Sequence, residues 1–172
     1  MDKGPQVLPF TGIIAAAEVE EREVRRAVET YLFPVSSATR VLPFRYTRYY
    51  EPEMGPDLRR WWLAGAALAS AGTLASLKIR AREWEETWRR PGGGRRVNVD
   101  PGYITRLQIV LATTKHLPAT VYLRDGIFAL VELTYVKGAY APLPWTYADY
   151  AEAASSGLFL PFRAHLLALN RG

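Results

Sequence analysis

The chain has 172 residues, 49% of them hydrophobic and 23% charged, which suits one globular domain, residues 1–172, burying roughly two-thirds of its unfolded surface. It holds no cysteine, which excludes a disulfide scaffold, a thiolate zinc site and a cysteine nucleophile, and suits a reducing cytoplasm. No apolar run reaches the roughly 20 residues of a membrane span, and Met1-Asp-Lys-Gly-Pro5 lacks the hydrophobic core of a signal peptide, so a soluble cytoplasmic protein is expected. The net charge of +5 comes mainly from arginine, whose forked guanidinium suits phosphate and carboxylate; the codon usage of a GC-rich genome would give the same bias.

Val7 to Ala15 is apolar and flanked by proline, the pattern of a buried first strand. From Glu18 the period becomes helical, with Val24, Ala27, Val28, Tyr31 and Leu32 on one face, acidic residues at the start and Pro34 after the last turn. Arg40 to Thr47 alternates as a strand. Tyr49 to Pro56 is an aromatic and acidic loop leading to a strand near Arg59 to Ala66. A second helix runs from Gly72 to about Arg90 on Leu74, Leu77, Ala81, Trp84 and Trp88, with Glu85 and Glu86 each four residues before an arginine. Pro91-Gly-Gly-Gly94 ends it, and Arg95 to Val99 alternates as a short strand. Ile109-Val-Leu111 suits a strand or a helix, but Asp100-Pro101 reads as N-cap and first helical residue, which predicts a helix from Pro101 to about Lys115. Asp125-Gly126 and Lys137-Gly138 are hairpin turns joining Val121–Arg124, Ile127–Val136 and the segment at Tyr140 into a meander. Thr146-x-x-Asp149 is a candidate capping box, and Phe162, His165, Leu166 and Leu169 give a closing helix. The expected class is α+β, a ferredoxin-like βαββαβ core followed by a helix, a β-meander and closing helices.

No motif here has the spacing of a well-specified catalytic site. Gly92 to Gly94 follows a helix and precedes a strand, the reverse of the nucleotide-binding order, and reads as a turn. Arg89, Arg90, Arg95 and Arg96 bracket it, a cluster that suits a phosphate, a nucleic-acid backbone or plain solvent. Asp100 is either an N-cap or a metal ligand or general base. Glu132 shares a strand face with Phe128, Leu130 and Thr134, so it lies near an edge, pairs with an arginine, or is functional. Tyr49, Tyr50, Tyr103 and Trp145 fall in loops beside charges, as stacking residues or as a hydrophobic clamp. His165 lies on an apolar stripe and His116 at a helix end, and neither belongs to a phosphoesterase pattern. The serines read as caps and turns.

These residues also carry a resemblance. In Tyr49-Tyr-Glu-Pro-Glu-Met-Gly55, Arg95-Arg-Val-Asn-Val-Asp-Pro-Gly-Tyr103, Leu111-Ala-Thr-Thr-Lys115, Gly126-Ile-Phe-Ala129 and Leu143-Pro-Trp-Thr-Tyr-Ala-Asp-Tyr150 the chain resembles an uncharacterised bacterial family, domain of unknown function 4416. The resemblance covers nearly the whole chain and implies no established activity. Some members are labelled GTP-binding, and this chain has neither a P-loop nor Asn-Lys-x-Asp. Relatives carry a His-Arg pair before the strand at Val121 and a glutamate early in the next strand, where this chain has Ala119-Thr120 and Leu130. That implies loss of any chemistry resting on those groups and gives weight to a binding or structural role.

The leading expectation is a binding module for a phosphate-bearing ligand, nucleotide or RNA, in which Tyr49, Tyr50, Arg95, Arg96, Asn98, Asp100, Tyr103, Lys115, Trp145 and Asp149 converge on one cleft. The alternative is a hydrolase or transferase using Asp100 and Glu132 around a divalent cation. The third is a structural, partner-binding protein.

Overall fold

The computed structural model describes residues 4–172, so the reading of the chain start at Met1–Lys3 lies outside the described residues. In chain order the elements are β1 (Gln6–Ala15), α1 (Glu21–Tyr31), β2 (Val35–Ala38), β3 (Leu42–Pro43), α2 (Glu51–Met54), β4 (Arg59–Gly65), β5 (Ala69–Ser70), α3 (Leu74–Thr87), β6 (Val97–Ile104), β7 (Gln108–Thr113), β8 (Thr120–Arg124), β9 (Ile127–Val136), β10 (Ala139–Pro142), α4 (Ala148–Ser155) and α5 (Leu160–Leu169). The ten strands form one sheet in the order β10-β9-β7-β6-β1-β4-β2, with β3 on β4, β5 on β1 and β8 on β9. Each pairing is antiparallel.

Alternation along the central strands sorts side chains to two faces. On one face Ile13, Trp61, Leu63, Val97 and Val99 meet Val24, Val28, Leu77, Ala81 and Trp84 of α1 and α3. On the other, Leu8, Phe10, Trp62, Ile104 and Leu133 meet Tyr150, Ala153, Phe162 and Leu166 of α4 and α5. The result is a mixed α and β fold in three layers, with helices covering both faces of a large antiparallel sheet. The two hairpin turns form as expected: Asp125 and Gly126 have φ of 52° and 74°, and Lys137 and Gly138 have 50° and 88°, the left-handed pairs that match strand twist.

The helix expected from Pro101 to Lys115 does not form; the segment is the second half of β6, a turn and β7. Asp100 does not cap, because its carboxylate is engaged by Arg60, Lys78 and Asn98. Thr105 makes the turn instead, its hydroxyl oxygen accepting from the amides of Leu107 and Gln108 at 3.1 and 2.9 Å. Pro101 lies inside β6. Of the strand expected over Arg40–Thr47 only β3, Leu42–Pro43, forms; the strand β2 precedes it, and both pair with successive parts of β4, while the loop after them contains the helical turn α2. The capping box at Thr146 is absent, since the Thr146 hydroxyl donates to the Glu132 carbonyl.

Gly12 sits at mid-sheet, opposite both Trp62 and Asp100. A Cβ there would stand 2.8 Å from Tyr150 Oη and 3.0 Å from Trp62 Nε1, so α4 lies as close to the sheet as the missing side chain allows. Gly12→Ala is expected to lower stability by about 1–3 kcal/mol, the usual cost of overpacking. Gly92→Ala, where nothing lies within 4 Å, is the control that should stay within error. Urea unfolding of the two variants checks this, and an undiminished Gly12→Ala midpoint would show that α4 is free to retreat.

Candidate functional site

β6 runs beside β1 for its full length, from Leu8 opposite Ile104 to Ala15 opposite Val97, but it pairs with β7 only over Gly102–Ile104. Pro101 marks the parting: it has no amide to donate, and strand residues two apart direct their backbone groups to the same side. One step further along, the backbone of Val99 bonds to α3. Its amide donates to Glu85 Oε1 at 2.8 Å and its carbonyl accepts from Lys78 Nζ at 3.0 Å. Burial raises the Glu85 carboxyl above its ordinary range, against the pull of Lys78 and the Val99 amide. A strand has been peeled away here and two helix side chains stand in its place.

The gap is a cleft of about 550 Å³, bounded by β6, by Leu111–Lys115 at the end of β7, by α3, by the Phe44–Tyr50 segment and by Tyr147–Tyr150. Arg60, only 2% exposed, forms its floor. Its Nε lies 2.8 Å from Asp149 and its Nη1 3.5 Å from Asp100, and its guanidinium sits over the rings of Trp62 and Tyr150 at 4.8 and 5.1 Å. Burial by itself would weaken its charge, yet Asp149, Tyr150 and Asp100 hold its pKa above the ordinary value. Among the described residues Nε and Nη1 form these ion pairs without a well-aligned hydrogen bond. From Arg60 the polar chain continues through Asp100 to Asn98 (2.9 Å), Arg95 (3.1 Å) and Glu53 (2.8 Å). At the mouth stand Arg82, with no ion pair among the described residues, and Lys115, whose ammonium lies 5.7 Å from the centre of the Tyr49 ring.

The cleft brings together Tyr49, Tyr50, Arg95, Asn98, Asp100, Lys115 and Asp149 of the residues expected from sequence. Arg96, Tyr103 and Trp145 are not among its lining residues. Arg96 stacks on Trp88 and faces Glu18, and Tyr103 packs with Leu74 and Val110 on the α3 side of the sheet. Arg95, though at the cleft, is held by Glu53, Glu85 and Asn98, so it braces α2 against β6. Gly94 serves the same junction: a Cβ there would meet the Glu53 carbonyl oxygen at 2.5 Å. His116 caps no helix and stacks on Phe128. Sequence reasoning missed Arg60, Lys78 and Arg82. The signals were an arginine on the same strand parity as Trp62 and Ala64, and a lysine and an arginine four apart on α3.

Glu132 and Trp145 have a shared structural role. Ile109 pairs with Leu133 and Val110 with Val131, so Glu132 is the extra residue of a β-bulge, and the strand parity that put it beside Thr134 is broken there. The freed carbonyls are taken by the segment after β10. Trp145 Nε1 donates to Val131 O at 2.7 Å, Thr146 Oγ1 donates to Glu132 O at 2.5 Å, and the Tyr147 amide donates to Glu132 Oε1 at 2.6 Å. This clip holds Tyr147 against the cleft. Asp100 faces two cations, Arg60 and Lys78, and no cluster of three or more His, Asp or Glu side chains suited to a metal occurs among the described residues. Position 130, where a glutamate was expected in relatives, places Leu130 on the cleft wall, and Thr120 closes a turn with Leu117.

Burial pushes the Glu132 carboxyl up to about 7, the Tyr147 amide opposing this only in part. A folded value near 7 against an ordinary 4.5 means that the fold favours the protonated form. The contribution to stability is therefore full below about pH 4.5 and is lost as pH rises through about 7. Glu132→Gln keeps an acceptor for Tyr147 and removes the titration. The variant is expected to exceed the parent by about 1–3 kcal/mol at pH 8, the gap narrowing towards pH 5. Urea midpoints at both pH values test it, and parallel pH profiles would assign the titration to another group.

No curated protein matches the chain, and no solved structure matches it. One family model does, over residues 5–165, a span that includes both walls of the cleft and the clip that holds Tyr147. The chain belongs to the family described as Domain of unknown function (DUF4416).

Proposed function

We propose that the cleft binds a phosphate-bearing ligand, a nucleotide or RNA, with Arg82 and Lys115 taking the phosphate and Tyr49 and Tyr50 flanking the base. The observation that carries this is the charge balance of the lining. Arg60, Lys78, Arg82, Arg95 and Lys115 outnumber Glu85, Asp100 and Asp149, and the surplus cations are the two at the mouth that have no carboxylate partner among the described residues. A concave, partly aromatic site with convergent cations suits an anion carrying a ring. Tyr49 is 71% exposed and stands edge-on to Tyr50 at 5.1 Å, free to stack.

The same reading extends to architecture and setting. The order β6-β1-β4-β2, with α1 and α3 on one face, supports a ferredoxin-like split unit to which β7, β9, β8 and β10 are added, within one domain. The absence of cysteine, and of any helix long and apolar enough to cross a membrane among the described residues, agrees with a cytoplasmic protein.

Titration calorimetry with uridine 5′-monophosphate is expected to give one site whose affinity falls as salt is raised. Arg82→Ala and Lys115→Ala should each weaken it by about tenfold, as for the loss of a hydrogen bond to a charged group. Affinity indifferent to both changes would remove the assignment. Magnesium and manganese are expected to give no heat at this site, because Arg60 and Lys78 already neutralise Asp100. A saturable metal isotherm abolished by Asp100→Asn would move the assignment to a metal-dependent hydrolase or transferase.

A further inference from the structure

Two wall residues of the cleft, Leu111 on β7 and Leu130 on β9, are register partners. Two residues on along each strand, Thr113 pairs with Phe128, and Phe128 in turn pairs with Tyr122 on β8. No register shift intervenes between these pairs, so Thr113, Phe128 and Tyr122 lie on the same face of the sheet as the cleft wall. There Phe128 is covered by the His116 ring, nearly parallel at 4.9 Å and 12°, and met edge-on by Tyr122 at 5.4 Å. The outer surfaces of this three-ring stack are open: Tyr122 is 60% exposed and His116 is exposed. Lys115, already at the cleft mouth, immediately precedes His116 in the chain.

On the proposal that the cleft takes a phosphate-bearing ligand, we infer that this ligand is a single-stranded oligonucleotide, which leaves the cleft past Lys115 and stacks its next base on the His116–Phe128–Tyr122 platform. A mononucleotide would leave the platform unused. A strand uses it in the way single-stranded nucleic acids are bound elsewhere, with cations along the backbone and aromatic rings under the bases. Charge favours this occupant over an apolar partner: the platform adjoins the basic mouth of a chain with a net charge of +5.

The test is fluorescence anisotropy competition with uridine 5′-monophosphate and with 5′-phosphorylated oligouridylates of two, four and eight nucleotides, repeated with the deoxyribose series to separate RNA from DNA. Affinity is expected to rise at least tenfold from mononucleotide to tetranucleotide. Tyr122→Ala and His116→Ala should each reduce tetranucleotide affinity by about tenfold, in line with loss of one stacked base, while leaving mononucleotide affinity unchanged. Tyr122→Phe should restore it, since the ring face is what binds. Mononucleotide binding that gains nothing from added length overturns the platform and leaves the cleft assignment standing. No binding of any probe overturns both. A concentration-dependent dimer in sedimentation, lost in Tyr122→Ala, would assign the platform to a second copy of this chain and overturn the proposal.

Discussion

The site depends on a single break in the sheet, the parting of β7 from β6 at Pro101. An exposed strand edge inside a protein needs partners for its amides and carbonyls, and here α3 supplies both with Lys78 and Glu85 at Val99. Proline fixes where pairing stops, and the two helix side chains allow the edge to remain open beyond that point. Everything that lines the cleft follows from this. β7 is free to continue alongside β9, the Phe44–Tyr50 segment closes the outside, and α4 lies over the inside, close to Gly12.

Within the opening, the placement of charge is ordered by depth. Arg60 at the floor cannot be left alone in a low-dielectric setting, and it is met by Asp149, Asp100 and two aromatic faces. Removing one member of such a group strands the others, which is why buried pairs are costly to break even where they add little to stability. The floor therefore behaves as a fixed structural polar group. The mouth is different: Arg82 and Lys115 are exposed cations with no ion pair among the described residues, Lys115 lying over the Tyr49 ring. The contrast between a floor whose charge is neutralised by Asp149 and Asp100 and a rim of cations without carboxylate partners among the described residues is the physical basis for locating the ligand's charge at the rim.

Much of this was legible in the chain. Apolar periodicity marked α1, α3, α5 and β1, because one-sided burial imposes the helical and strand periods directly. The Asp-Gly and Lys-Gly pairs marked two turns, because their left-handed backbone restricts the residue choice. Many cleft residues were also within view, since tyrosine, asparagine, aspartate and lysine clustered near element ends. What escaped was non-local. Asp100-Pro101 carries a strong local helix signal, overridden by a buried arginine from β4 and a lysine from α3 that claim the aspartate. Glu132 looked like a polar residue on an apolar strand face, because a bulge leaves no mark in strand alternation. Arg95 and Arg96 looked like free cations, because their partners Glu53 and Glu18 lie 42 and 78 positions away. Pairing over such separations is set by the fold and not by the neighbourhood in sequence.

The bonds from Lys78 and Glu85 to Val99 also determine what the cleft refuses. An unpaired strand edge is a template for β-augmentation, by an extended peptide or by another protein's edge, because free amides and carbonyls offer a ready ladder. Val99 would be the first rung of such a ladder, and Pro101 the second. One is already bonded in both directions and the other has no donor. A guest strand laid along β6 therefore finds its first two rungs closed, one bonded to α3 and the other without a donor, and the arrangement that keeps the cleft open makes this edge a poor template for polypeptide strands.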